Sequence, residues 1–154
     1  MRDYIFWLLI IAYSAHVMEE YILGWKEWVH DLSGFDPGWD EFFVVNAVVI
    51  TSGIGFAMIG FKNLYISLMF PSLMLINAVF CHILPVIIKR RFSPGVLTSI
   101  FLFIPLSIFT FYEVYRQNFM TPGLIITASA GGAVIMIYPV FLQTLKKKLK
   151  IQQY

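Results

Sequence analysis

The sequence predicts an all-α fold, a single integral membrane domain (residues 1–154) built as a bundle of five transmembrane helices. Hydrophobic residues make up 59% of the 154 residues and charged residues only 13%, whereas soluble domains carry about 25% charged residues. Five separate stretches are apolar over about 20 residues, the length that crosses a bilayer. A soluble protein of this length needs a charged surface, which this composition cannot supply.

Short polar connections separate the five predicted transmembrane helices. Turn-forming residues stand in them, such as Asp36-Pro37-Gly38 before the second helix and Ser93-Pro94-Gly95 before the fourth. Trp25, Trp28 and Leu32 recur at helical spacing in the first connection, which predicts a short interfacial helix there. The five predicted helices span about residues 4–23, 42–61, 64–88, 95–115 and 122–145.

The lysines and arginines predict the orientation and the partners. Short cytoplasmic loops carry an excess of these residues. An outside N-terminus and a cytoplasmic C-terminus place eight of the 11 on the inner side, which indicates a multi-pass protein of the plasma membrane. Membrane lipid is the expected partner, and the sequence is compatible with a homo-oligomer. Nucleic acid is not expected as a partner, because the basic residues form no soluble basic face. The eight inner residues are Lys26, Lys89, Arg90, Arg91, Lys146, Lys147, Lys148 and Lys150.

The most informative motif is His16-Val17-Met18-Glu19-Glu20, near the inner end of the first predicted helix. Each ionisable group within a membrane costs about 2.5–3.5 kcal/mol on insertion scales, so three in five residues need a compensating role. Glu19 and Glu20 follow His16 by three and four residues and can share a face with it. Imidazole and carboxylate groups are ligands for Zn, Fe or Mn. Alternatively, one or both of the glutamates reach the interface.

A second polar set is expected in the same half of the bilayer. Helix alternation places Asn46 and Tyr138 there as supporting polar residues, together with His82 and Asn77 of the third helix. Asn77 and His82 are about 140° apart on an ideal helix, and Pro85 can distort that helix.

We predict that His82 lies close to His16 and to at least one of Glu19 and Glu20. Each buried ionisable group needs a partner in hydrocarbon, and the first and third helices run in the same direction.

These motifs resemble the HXXEE-domain family of integral membrane proteins. His16-Val17-Met18-Glu19-Glu20 matches the signature, and His82 fits a further histidine of the family pattern by its place in the chain. Phe92-Ser93-Pro94-Gly95 fits the Tyr-x-Pro-Gly motif, with Phe in place of Tyr. The resemblance covers nearly the whole chain and adds weight to His16, Glu19, Glu20 and His82, but it implies no established activity.

The function predicted from these residues is that of a metal-dependent membrane enzyme acting on a lipid or another apolar substrate. His16, Glu19, Glu20 and His82 would hold one divalent metal ion, Zn or Fe, and Glu19 or Glu20 would act as a catalytic general base. Zn would suit hydrolysis and Fe would suit oxidation. Two alternatives are a structural or binding protein with a polar core and a metal or proton transporter.

Overall fold

The computed structural model describes residues 3–34 and 36–151, and their side chains up to Tyr138. The described residues form helices joined by short connections, with no β-strand among them, which confirms the all-α prediction. Six helices follow one another in this part of the chain. They are α1 (Tyr4–Ile22), α2 (Trp25–Ser33), α3 (Trp39–Ile59), α4 (Leu64–Lys89), α5 (Val96–Arg116) and α6 (Pro122–Ile151).

Four of these helices, α1, α3, α4 and α5, are long and apolar enough to cross a membrane, which identifies a membrane protein. The fifth predicted span corresponds to α6, whose described apolar part runs over Pro122–Tyr138. The basic side chains of residues 146–150 lie outside the described ones. The second predicted span begins at residue 42 whereas α3 begins at Trp39, and the fifth predicted span ends at residue 145 whereas α6 ends at Ile151.

The start of α3 lies three residues before the predicted one, at Trp39. Gly38 precedes it in an extended conformation, and its N–H donates to the Glu41 carboxylate at 3.4 Å. Polar residues in a first helical turn had been assigned to the loop, although carboxylates are favourable at helix N-termini. The short helix predicted in this connection is present as α2.

Helix α1 forms the centre of the bundle, since it packs against α2, α3, α4 and α5. Ile5, Phe6, Leu9 and Tyr13 are buried along it. The Tyr13 ring stacks on Phe103 of α5 with centroids 5.8 Å apart. A central α1 brings the side chains of its C-terminal half within reach of neighbouring helices.

Helices α4 and α6 approach each other closely because α6 carries Gly131 and Gly132 at the contact. A Cβ atom on Gly132 would lie 2.7 Å from the backbone nitrogen of Leu73, and one on Gly131 would lie 2.5 Å from the sulfur of Met69. Small residues permit this approach in membranes, where packing rather than water exclusion drives helix association.

Two helices widen into π-type hydrogen bonding close to the bundle centre, over Asn77–Ile83 in α4 and Ser99–Phe103 in α5. Each segment ends two residues before a proline, Pro85 or Pro105. Proline has no N–H for the carbonyl four residues earlier, and π bonding leaves that carbonyl for the next residue. The wider turn also brings residues five apart, such as Asn77 and His82, towards one face.

Candidate metal centre

Three buried side chains meet where the C-terminal halves of α1 and α4 face each other. His16 and Glu20 stand one turn apart on α1, and His82 comes from the widened segment of α4. The Glu20 Oε1 atom lies 3.5 Å from the Nε2 atom of each histidine. The two imidazole rings are nearly perpendicular, with centroids 4.7 Å apart. The predicted contact of His82 with His16 and a glutamate is therefore confirmed.

Both Nε2 atoms are buried and without a hydrogen-bond partner. His16 and His82 are 1% and 0% exposed, and Glu20 is 6% exposed, so Glu20 does not reach the interface. A separation of 3.5 Å exceeds the 2.7–3.2 Å range of N–H···O bonds. Since a buried unpaired polar atom costs about 1–3 kcal/mol, the two nitrogens indicate a site for a further group between them.

The hydrogen bond at Nδ1 determines which ring nitrogen of His16 carries the proton. The Thr98 hydroxyl of α5 lies 2.6 Å from Glu19 Oε2, to which it donates, and 2.8 Å from His16 Nδ1. A hydroxyl has one proton, so His16 Nδ1 must donate its own to Thr98. In a neutral imidazole this leaves Nε2 with a free lone pair that faces Glu20.

His82 is held in the same way by the loop before α5. Its Nδ1 atom lies 3.2 Å from the Ser93 hydroxyl, which donates to the Pro94 carbonyl at 3.3 Å. The Nδ1 atom is therefore a donor, and the Nε2 lone pair of His82 is free as well. Hydrogen bonds of this kind orient metal-ligating histidines in proteins.

Glu19 does not join the cluster, although it was predicted as a ligand and as a catalytic base. Its carboxylate accepts hydrogen bonds from the backbone N–H groups of Gly95, Leu97 and Thr98 at 3.0, 3.1 and 2.8 Å. These N–H groups form the start of α5, where the helix dipole favours an anion. Because adjacent residues point to different sides of α1, Glu20 faces the histidines and Glu19 faces α5.

Gly95 packs directly against both histidines, a role that the sequence analysis missed. A Cβ atom there would lie 2.6 Å from His82 Cε1 and 2.7 Å from His16 Cε1, and its φ of +92° favours glycine. The roles of Ser93 and Thr98 were likewise not predicted from the sequence. The signal was the position of Ser93-Pro94-Gly95 directly after the inner end of the helix that carries His82.

A partly open cavity of about 110 Å³ adjoins the cluster, with Glu20, Asn46 and Asn77 among its lining residues. The supporting role predicted for Asn46 and Asn77 thus corresponds to the cavity wall, not to the ion-pair cluster. Tyr138 is different: it is 40% exposed and does not line this cavity. Its side chain lies on the outer face of α6, which sequence depth alone could not determine.

Comparison with known proteins places these residues in a family. The model of a family described as proteins of unknown function with an HXXEE motif matches residues 7–110. This match spans more than half of the chain. The chain belongs to the HXXEE family. It is also similar to the uncharacterized protein YrkK of Bacillus subtilis (strain 168), with 29% identity over 135 residues, 81% of this chain and 84% of that protein. No solved structure matches it.

The HXXEE motif thus divides its polar residues between two tasks. Its His16 and Glu20 meet His82, and the three can offer one ligand atom each, all within 4.8 Å of one another. Tetrahedral ligation with bonds of about 2.0–2.1 Å separates ligand atoms by about 3.3–3.4 Å, close to the two 3.5 Å separations here. Its Glu19 instead fixes the start of α5, which supplies Thr98 and Gly95 to the cluster.

Proposed function

We propose that the protein is a metal-dependent membrane enzyme that acts on a lipid or another apolar substrate. His16, Glu20 and His82 would hold one divalent ion, Zn or Fe. The observation that supports this most is the pair of buried Nε2 atoms, each without a hydrogen-bond partner and each 3.5 Å from the Glu20 carboxylate. Two imidazoles and one carboxylate are a donor set that both metals use in enzymes.

The chemistry proposed depends on the metal that binds. A Zn ion with three protein ligands supplies an activated water for hydrolysis, and Fe(II) in such a site supports oxidation by O₂. The cavity beside Glu20 is mostly apolar, with a few polar groups, which is typical of sites for small apolar ligands. Both features favour an enzyme over a purely structural polar core.

Metal content of the purified full-length protein tests the proposal. The protein is purified without chelator, incubated with Zn, Fe or Mn, freed of unbound ions and measured by elemental analysis. We expect about one ion per chain in the wild type and in His30→Ala, which removes an exposed histidine outside the cluster. We expect loss of the ion in His16→Ala and in His82→Ala.

Metal-free protein under all three loading conditions would contradict the proposal. The two alternatives then make different predictions. A transporter would show metal or proton flux in reconstituted vesicles that depends on Glu20. If the polar core is only structural, His16→Gln should leave the cellular phenotype unchanged in a protein that still folds and inserts.

A further inference from the structure

The cavity beside Glu20 has a polar end and an apolar end. Glu20 and Cys81 line it close to the cluster, whereas Val49 and Leu73 line it farther along the helices. Cys81 and Leu73 are eight residues apart on α4, so the cavity extends about 12 Å along the bundle. A lipid of the inner half has the same polarity, with its head at the interface and its chain towards the bilayer centre.

Asn77 lines this cavity and carries a buried acceptor that has no hydrogen-bond partner. It is 9% exposed, and its Nδ2 donates to Met136 Sδ at 3.7 Å, whereas its Oδ1 has no hydrogen-bond partner. The other amide in the wall is satisfied, since Asn46 Oδ1 accepts from the Tyr13 hydroxyl at 2.9 Å and its Nδ2 donates to the Phe42 carbonyl at 3.0 Å. Asn77 Oδ1 therefore selects a ligand that carries an N–H or O–H group.

The charge of the wall selects against an anionic head group. Among the described residues that line the cavity, Glu20 is the one carboxylate, and none is a lysine or an arginine. In the metal-free protein, a phosphate or a free fatty-acid carboxylate would face the Glu20 carboxylate with no lysine or arginine in the described lining. An uncharged polar group meets no such repulsion.

The surrounding helices leave a route from the lipid. Helices α3 and α6 both line the cavity, through Val45 and Val49 on one side and Ile135 and Met136 on the other. In the described residues these two helices barely contact each other. The cavity is partly open, so a chain from the bilayer can enter between them.

We propose that this cavity binds an uncharged single-chain amphiphile that enters from the bilayer and donates an N–H or O–H hydrogen bond to Asn77 Oδ1. Its apolar chain lies along Val49 and Leu73, and its polar group lies beside Glu20. The identification of this amphiphile as the substrate rests on the proposed function. Its binding does not, and the experiment measures binding without turnover.

Fluorescence quenching in phosphatidylcholine nanodiscs tests the inference. The probe is N-dodecylacetamide with a bromine in the part of its chain near the amide, and its matched partner is the same molecule with the amide nitrogen methylated, which removes the donor. Trp25 lines the cavity and reports binding after Trp7, Trp28 and Trp39 are changed to Phe. We expect half-maximal quenching at a membrane mole fraction at least about fivefold lower for the N–H amide, because the methylated probe leaves a buried acceptor unpaired.

Three variants test where the amphiphile binds. Val49→Phe fills the cavity and should abolish saturable quenching by both amides, whereas Val48→Phe, on the exposed neighbouring position, should not. Asn77→Leu should make the two amides equal while metal content stays unchanged.

Equal quenching by the two amides in the parent protein would overturn the hydrogen-bond assignment. Unchanged quenching in Val49→Phe would overturn the cavity. The preference for the N–H amide should persist after chelation. A negative result for metal binding would therefore not change the interpretation of this experiment.

Discussion

At the scale of single residues, one hydroxyl proton determines how His16 can act. Thr98 gives that proton to Glu19, so His16 must donate to Thr98 and keep its Nε2 lone pair for the cluster. Thr98 contacts no ligand position itself. Its effect on the candidate metal centre passes through the orientation and protonation of His16.

Replacing Thr98 with valine should weaken metal binding without removing a ligand. Valine has nearly the same shape but cannot accept the Nδ1 proton, and loss of such supporting hydrogen bonds typically costs about 10–100-fold in metal affinity. Competition with a chelator of known affinity measures the change. Thr110→Val is the matched control, since the Thr110 hydroxyl bonds only within its own helix, to the Leu106 carbonyl. Equal affinities in both variants would contradict the role of Thr98.

Replacing Gly95 with alanine should damage the cluster directly. The added methyl group would overlap both imidazole rings, and the left-handed backbone costs a further 1–2 kcal/mol or so. We expect a lower unfolding temperature and loss of metal. Gly55→Ala is the control, because a Cβ atom there meets open space within a helix and alanine favours helices. Wild-type metal content in Gly95→Ala would refute the close packing.

At the scale of elements, the two glutamates of the HXXEE motif connect α1 to different partners. Glu20 faces α4 through His82, and Glu19 holds the first turn of α5 through three backbone N–H groups. Replacing Glu19 with glutamine should therefore have a different effect from replacing Glu20 with glutamine.

Glu19→Gln should lower stability and keep the metal, whereas Glu20→Gln should lose the metal. Glutamine keeps one acceptor but loses the charge at the helix N-terminus, which we expect to cost about 1–2 kcal/mol. Thermal unfolding and elemental analysis of both variants separate the two effects. Loss of metal in Glu19→Gln at unchanged stability would show that Glu19 is a ligand after all.

The widened segments explain which parts of the site the sequence could predict. The spacing of His16 and Glu20 and the depth of His82 follow from regular helix geometry, and both were predicted. The relation between Asn77 and His82 was not, because a π-type segment changes the 100° step on which helical-face arguments rely. The roles of Thr98 and Gly95 depend on a loop that folds back against α1, and residue spacing carries no record of that contact.

At the scale of the whole molecule, the candidate metal centre lies in one half of the bundle, where the ends of three apolar helices, α1, α4 and α5, come together. Apolar length predicted these helices, whereas their orientation is a separate prediction from the lysines and arginines of the loops, which favours a centre on the cytoplasmic side.

Cysteine labelling tests that orientation. Lys62 lies just before α4 and Lys89 is its last residue, so Lys62→Cys and Lys89→Cys mark its opposite ends; both are made with Cys81→Ser, which removes the single native thiol. A membrane-impermeant maleimide should label position 62 in intact cells and position 89 only after permeabilisation. The reverse labelling pattern would place the N-terminus in the cytoplasm and the cluster towards the outside of the cell.

X-ray absorption at the metal edge of the loaded protein tests the central claim most directly, because it reports the ligands themselves. The account predicts two imidazole nitrogens at about 2.0–2.1 Å together with oxygen ligands, and one imidazole fewer in any His82→Ala protein that retains the ion. Bound metal with an all-oxygen shell, or a spectrum unchanged by His82→Ala, would contradict a centre built from His16, Glu20 and His82.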